Sequence, residues 1–286
     1  MAMWDCVLVR YSEIAIKSRP VRSRFERILV NNISLALKGC LRDYRVQRKW
    51  GRIVVEAKNT DRVCERLSYV FGVVSISPAK RLSLRGLPKF VERNVSKLVQ
   101  KGPFAVRVTR VGEHSFTSRD MERKLGEIVV KKTGKKVNLK EPASTLHVEI
   151  REKDAYVYND VISGPMGLPL GSQGKVYCFV NDKLGILAAW LMMKRGCRPI
   201  IFHTAPVDEL DRWSPGMELE KTEISSLEEL AERAKGDETP VVLADTLNTA
   251  SIEGIKADDE RFYCVLRPLI GYTEDMVKEL RKRVLG

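Results

Sequence analysis

The chain has no run of eighteen apolar residues, so nothing in it is long enough to span a bilayer as a helix. Its start, Met1-Ala2-Met3-Trp4-Asp5, lacks a basic stretch ahead of an apolar one, and no secretory signal is expected. Six cysteines, Cys6, Cys40, Cys64, Cys178, Cys197 and Cys264, are scattered without a CxxC pair. That spacing argues against a structural zinc and suits reduced thiols in a cytoplasmic protein. Histidine is limited to His114, His147 and His203, which have no ligand spacing, so no metal is expected. Glutamine is as scarce, at Gln47, Gln100 and Gln173. Little Gln and His beside much Glu, Lys and Arg suggests a thermophile.

What the chain has in excess is positive charge. Residues 1–173 hold 34 Lys and Arg against 17 Asp and Glu, a net of +17. Residues 174–286 hold 16 against 20, a net of −4. A thermostable surface explains abundant charge but not its division into two parts. A basic excess confined to the first three-fifths is the electrostatic footprint of a nucleic-acid partner. With 286 residues, 44% of them hydrophobic, the chain can fill two or three cores.

Residues 104–158 organise the rest. Phe104–Arg110 alternates apolar and polar, the period of a half-buried strand. Ser118 stands where a helix N-cap belongs, Met121, Leu125, Ile128 and Val129 form one stripe, and Thr133-Gly134 ends the helix. Two strand-like runs follow, Thr145–Arg151 and Ala155–Tyr158, joined by a Glu152-Lys153-Asp154 turn. This unit carries Arg107, Arg110, Arg119, Lys131, Lys132, Lys135 and Lys136, and a polyanion is its natural partner. Arg107 and Arg110 are expected on an open sheet face, where pairing with Glu149 competes with RNA contact. Lys135 and Lys136 follow a helix C-terminus, where the dipole favours cations in any case. Phe116 reads as a loop aromatic tucked into the core, with base stacking as the alternative.

Ahead of that unit, Trp4–Tyr11 reads as a strand. Ser18-Arg19-Pro20 starts a helix whose buried face is Val21, Phe25, Ile28, Leu29, Ile33 and Ala36, and Gly39 stops it. Lys17, Arg19, Arg22, Arg24 and Arg27 occupy its other face and the loop before it. Tyr44–Val46 and Ile53–Ala57 form a hairpin around Trp50-Gly51-Arg52. Asn59 or Thr60 caps a second helix through Phe71, Val73–Ser77 is a short last strand, and Pro78 punctuates the exit. That order is a ferredoxin-like α+β module. Lys89–Gln100 is an amphipathic helix.

Beyond Tyr158 the character changes. Gly164–Gly174 has four glycines and two prolines in eleven residues and reads as a linker or shaped loop, not a packed element. Val176–Val180 and Pro199–His203 are continuous apolar strands around a helix from about Lys183 to Arg195, which Gly196 caps. That pattern predicts a parallel, doubly covered sheet. Ser226–Ala234, Pro240–Ala244 and Thr273–Arg283 read as helix, strand and helix. Cys178 lies inside a strand as inert core, and Cys197, just past a helix cap, is expected to be partly exposed.

Three stretches together resemble the tRNA 4-thiouridine synthetase (thiamine-pathway tRNA sulfurtransferase) family. The first is Val9-Arg10-Tyr11-Ser12-Glu13-Ile14-Ala15-Ile16-Lys17-Ser18 with Phe25-Glu26. The second, similar to a THUMP domain, includes Leu125-Gly126-Glu127, Thr133-Gly134-Lys135-Lys136-Val137 and Val148-Glu149-Ile150-Arg151. The third is Gly164-Pro165 with Gly167-Leu168-Pro169, Gly174-Lys175-Val176, Met192-Met193-Lys194-Arg195-Gly196 and Arg267-Pro268-Leu269-Ile270. The resemblance implies an α+β N-terminal part, a ferredoxin-like domain over 1–80 and a THUMP RNA-binding domain over 81–163. An α/β Rossmann-like ATP-pyrophosphatase (PP-loop) domain would follow over 164–286, shortened here. It also implies that the first two domains dock the tRNA acceptor end, that the third adenylates a uridine oxygen, and that a cysteine persulfide supplies sulfur.

The third domain departs from that pattern. The PP-loop has the form Ser-Gly-Gly-x-Asp-Ser, whose glycines let amides approach a phosphate at a helix N-terminus. Counting back from Met192 without a gap places Val180-Asn181-Asp182-Lys183-Leu184-Gly185 there, without the paired glycines, the later acid or the serine. Asn181, Asp182 and Lys183 are expected to form a helix cap and first turn. With Ile201 and Phe202 on the next strand they make a degenerate nucleotide site. Ala244-Asp245-Thr246-Leu247-Asn248 replaces the family's later Gly-Glu-Ser-Leu-Gly loop, and no cysteine lies between Cys197 and Cys264. The expectation is a tRNA-binding protein that has lost its own chemistry and has no catalytic residues or cofactor. It would serve thiolation or another modification, with a catalytic sulfur-transfer partner and a possible homodimer. The alternative is an active ATP- and magnesium-dependent sulfurtransferase with a divergent loop. The RNA-contact residues expected are Lys17, Arg19, Arg22, Arg107, Arg110, Arg119, Lys131, Lys132, Lys135 and Lys136.

Overall fold

The structure is a computed structural model that describes every residue except Met1, Ala2, Ser12, Ala15 and Trp50. Trp50 of the expected hairpin turn, and the Ser12 and Ala15 positions of the first motif, lie outside the described residues, while the hairpin itself forms with Lys49 opposite Arg52. In chain order the elements are β1 (Cys6–Arg10), α1 (Arg19–Leu37), β2 (Tyr44–Lys49), β3 (Arg52–Ala57), α2 (Thr60–Leu67), β4 (Ser75–Ser83) and α3 (Leu87–Leu98). Next come β5 (Phe104–Val111), α4 (Ser118–Thr133), β6 (Ser144–Arg151), β7 (Asp154–Tyr158), β8 (Ile162–Ser163), β9 (Lys175–Val180) and α5 (Lys183–Lys194). The chain closes with β10 (Arg198–His203), β11 (Glu220–Glu223), α6 (Leu227–Arg233), β12 (Val241–Val242), α7 (Ile252–Arg261), β13 (Val265–Leu266) and α8 (Glu274–Leu285). By contact the chain divides into two units.

The first unit comprises Met1–Val9, Asp43–Cys64 and Ile76–Ile162. Its sheet runs β2-β3-β1-β4-β7-β6-β5, with β8 beside β4. β1 is antiparallel to β3 with Leu8 opposite Val54, and β5 is parallel to β6 with Val106 opposite Leu146. Alternate residues of β5 and β6, Val106, Val108, Leu146, Val148 and Ile150, pack with Leu87, Val91 and Val95 of α3 and Met121, Leu125 and Val129 of α4. The predicted stripe of α4 is therefore its buried face. Its cap moves one residue earlier, to Thr117. The Thr117 side chain accepts from the Asp120 amide at 3.2 Å, and Asp120 accepts from the Thr117 amide at 2.8 Å. Both Thr117 and Ser118 can cap, but only Thr117 has an acid three residues on to return the bond. Gly134 ends the helix at φ 68°, as its lack of a Cβ permits. The last strand of the ferredoxin-like order is longer than expected. It runs through buried Pro78 to Ser83, because its second half pairs with β7 from Lys80–Val157 to Ser83–Asp154.

The second unit comprises Arg10–Arg42, Glu65–Ser75 and Ser163–Gly286. Its sheet, β11-β10-β9-β12-β13, is parallel and covered on both faces as the apolar strands predict. Cys178 and Ile201 face a core with Trp190, Trp213 and Leu269, while Ile200 and Phe202 face one with Leu230 and Phe262. Sequence reading missed β11, α7 and β13. The strand Glu220-Lys221-Thr222-Glu223 carries no apolar signal, and the strand expected over Pro240–Ala244 shrinks to Val241–Val242.

Helix α1 and residues 65–75 belong to this second unit. Helix α2 ends at Leu67, not Phe71, and the chain turns so that Phe71 enters an aromatic cluster. Its ring lies 5.5 Å from Trp190 and 5.9 Å from Trp213, and Tyr69 lies 5.2 Å from Trp213. On α1 the buried residues include Phe25, Leu29, Ile33 and Ala36, whereas Ile28 is half-buried and Val21 is 39% exposed. The Gly164–Gly174 segment is packed after all. The Gly164 amide donates to Val74 at 2.8 Å and the Leu168 amide to Lys194 at 2.9 Å. A Cβ at Gly167 would collide with the Lys194 carbonyl, so this glycine is present for close approach.

Phe71→Ala is expected to cost about 3–5 kcal/mol, as for other buried aromatics. Urea unfolding checks this: the midpoint should fall steeply while the m-value stays near that of the parent.

Candidate functional site

The structure distributes the predicted RNA-contact cations over several surfaces. Arg107 and Arg110 stand three apart on β5 and so face opposite ways. Arg107 is exposed and donates to the Leu139 carbonyl. Arg110 shares the side of Val106 and Val108, donates to the Gly112 carbonyl at 3.2 Å and lies 3.2 Å from His114 Nδ1. The expected pairing with Glu149 does not form. Glu149 is 2% exposed, and its Oε2 accepts from Arg52 and Arg151, each at 3.1 Å. Lys135 donates to the carbonyls of Val99 and Gln100 at 2.5 and 2.8 Å, so its charge closes the C-terminus of α3. Lys132 pairs with Glu92 at 3.1 Å. Arg119, Lys131 and Lys136 are exposed, and the first two rim an apolar groove floored by Val106, Val130, Val137 and Leu139. Phe116 is partly buried against the core, as expected.

In the second unit Lys17 and Arg19 are exposed. Arg22 Nε donates to Glu26 Oε1 at 2.9 Å, and the Tyr11 hydroxyl donates to the same oxygen at 2.5 Å. Burial first, then the Glu26 bond, pushes the Tyr11 phenol up to about 12. Sequence reasoning missed this pairing of Tyr11 with Glu26. Only the i, i+4 spacing of Arg22 and Glu26 signalled part of it.

The second candidate site is the N-terminus of α5. Asp182 is the N-cap, and its Oδ1 accepts from the Gly185 amide at 2.9 Å. Its carbonyl accepts from Ile186 at 3.3 Å. Asn181, Asp182 and Lys183 thus form a cap and first turn. Gly185 serves packing, since a Cβ there would lie 2.8 Å from Val180 Cα and 3.1 Å from the Phe179 carbonyl. Ile201 and Phe202 do not join this turn, because adjacent strand residues point to opposite faces and each is buried in a different core. Arg267 is spent internally. It bonds Asp245 at 2.9 Å, Asp259 at 3.0 Å and Asp258 at 3.2 Å, bracing the ends of β12 and β13 against α7. Among the described residues no three His, Cys, Asp or Glu side chains converge as a cation site.

Residues 6–77 match the ThiI ferredoxin-like domain and residues 89–160 match the THUMP domain. A probable tRNA sulfurtransferase of Saccharolobus islandicus is 30% identical over 97% of this chain and 86% of its own. The chain belongs to the tRNA sulfurtransferase family. A probable tRNA sulfurtransferase of Methanobrevibacter smithii is 40% identical over 76% of this chain, and the match spans 62% of that relative's length. The crystal structure of PH1313 from Pyrococcus horikoshii superposes with a TM-score of 0.86 at 30% identity, over 99% of this chain and 100% of that one. A 4-thiouridine synthetase solved with RNA and bound ATP gives a TM-score of 0.79 at 20% identity, over 98% of this chain and 84% of that one, which is a likeness of fold. As a family member the chain therefore has a ferredoxin-like and a THUMP domain followed by a parallel α/β domain. No described helix is long and apolar enough to cross a membrane.

Two of the cysteines in the α/β domain, Cys178 and Cys197, are buried. Cys197 is 7% exposed, not partly open, and belongs to the core around Trp190. Burial pushes both Cys178 and Cys197 up from the ordinary thiol range. Cys40 and Cys264 are half-buried. Iodoacetamide at pH 7.5 should therefore label Cys40 and Cys264 well before Cys178 and Cys197, as peptide mass spectrometry will read.

Proposed function

We propose that this chain docks the acceptor end of tRNA for thiolation or another modification, and that its own ATP-pyrophosphatase chemistry has been lost. The observation that carries the second half is the Asp182 carboxylate on the Gly185 amide. In a phosphate-cradling turn that amide would point at the ligand. Here a carboxylate of the chain already takes it, and an incoming pyrophosphate would meet that negative charge. The tRNA half rests on the THUMP match, the sulfurtransferase relatives and the +17 net charge of residues 1–173. On this reading a separate catalytic partner supplies sulfur, the protein works in the cytoplasm, and a homodimer is compatible with it.

A second reading is an active sulfurtransferase with a divergent nucleotide turn. It is favoured by an open pocket lined by Leu184, Thr246, Asn248, Thr249, Lys278 and Arg281. That pocket lies past the C-terminal ends of the strands, where α/β folds bind ligands.

Two measurements on the full chain separate the readings. Isothermal titration with Mg-ATP should give no saturable heat. Saturable binding that Asp182→Ala or Lys183→Ala abolishes would favour the enzyme. Binding to a tRNA transcript should weaken steeply with salt, as expected for contacts made mainly to phosphates.

A further inference from the structure

We propose that the α/β domain is retained as the mount for an RNA-binding ridge on α1. The proposal rests on the RNA-binding reading above and adds where part of the RNA backbone lies. Between Ile14 and Arg42 the chain carries Lys17, Arg19, Arg22, Arg24, Arg27, Lys38 and Arg42 against a single carboxylate, Glu26. That carboxylate is 7% exposed and is bound through one oxygen by both Tyr11 and Arg22. No exposed acid interrupts the stretch. On α4, by contrast, Asp120, Glu122 and Glu127 are interleaved with the cations. A surface of one sign is what a polyphosphate selects.

The spacing aligns these charges. Arg24, Arg27 and Lys38 stand at i, i+3 and i+14, which on 3.6 residues per turn is one line along the helix. All three are exposed, and the line extends roughly 20 Å at 1.5 Å per residue. Phe25, Leu29, Ile33 and Ala36 occupy the opposite side. That side is bolted to the α/β domain. Asn32, 3% exposed, donates through Nδ2 to the Leu170 carbonyl at 3.0 Å. Gly216 passes so close to α1, at φ 77°, that a Cβ would enter the Leu35 carbonyl. Arg66 Nε closes on the Ala36 carbonyl at 3.0 Å. The Tyr11–Glu26–Arg22 bonds fix the base of the loop that presents Lys17 and Arg19. A domain that splits no nucleotide is still required, because without it the ridge has nothing to stand on.

The test is fluorescence anisotropy of a labelled tRNA transcript with the full chain over a salt series. Arg24→Ala and Arg27→Ala should each raise Kd and lower the slope of log Kd against log salt by about one, the signature of a lost phosphate contact. Arg195→Ala and Arg198→Ala, exposed cations elsewhere in the same unit, should leave both unchanged. Asn32→Leu removes the mounting bond without touching a cation, and it should raise Kd and lower the slope. Should Asn32→Leu not fold, Tyr11→Phe, which deletes one hydroxyl, gives the same readout. A loss of thermal stability with Kd and slope intact would overturn the mount. Tight binding by the Arg24→Ala, Arg27→Ala double variant would overturn the ridge while leaving tRNA binding standing. Failure of the parent protein to bind tRNA would instead remove the RNA reading beneath both.

Discussion

The contact of Phe71 with Trp190 and Trp213 is the constraint on which the second unit depends. These rings, with Tyr69, pack edge-on or tilted at 5.2–5.9 Å, a geometry that adds to their area burial. Phe71 follows the helix of the ferredoxin-like module, whereas Trp190 sits at the centre of α5 and Trp213 beyond β10. Closing this cluster makes residues 65–75, α1 and the parallel sheet one body. The Gly164–Gly171 segment then threads against Val73 and Lys194, where only glycine leaves room. Leu170 ends that segment with a carbonyl aimed at Asn32.

Two carboxylates then divide the chemistry of that body. Asp182, exposed at the N-terminus of α5, accepts from the Gly185 amide, the donor that a phosphate-cradling turn would aim at its ligand. Glu26 turns inward, onto Tyr11 and Arg22, and leaves no exposed acid on α1. Glu26 is a buried anion satisfied by internal donors, as a buried charge requires, whereas Asp182 is exposed and caps its helix. In the first unit Glu149 plays a comparable part, since it draws Arg52 and Arg151 together under the sheet face that Arg107 tops.

Much of this was legible in the sequence. The alternation of Phe104–Arg110, the stripe from Met121 to Val129 and the apolar strands of the α/β domain each set element type and buried face, because burial imposes those periods. The cap and first turn at Asn181–Lys183 was legible for the same local reason. What failed was settled by tertiary partners. Pro78 reads as a break, but β7 demands that the strand continue. Arg107 and Arg110 read as one patch, but a strand's two-residue period separates them. Lys135 reads as a cap at its own helix or a phosphate contact, and its bonds to the carbonyls ending α3 had no signal in the sequence. Glycine-rich 164–174 reads as a linker because composition does not reveal that its glycines admit neighbouring backbone. The pairing of Tyr11 with Glu26 had no pattern to announce it.

Hydrogen exchange of the full chain, followed once with Mg-ATP and once with tRNA, tests the central claim most directly. Amides of the first turn of α5, Gly185 and Ile186 among them, should exchange at the same rate with and without ATP. Peptides covering residues 16–28 should slow when tRNA is present. Protection of the Val180–Ile186 peptide by ATP at micromolar concentration would contradict the account, since it would mean that the turn Asp182 fills still cradles a triphosphate.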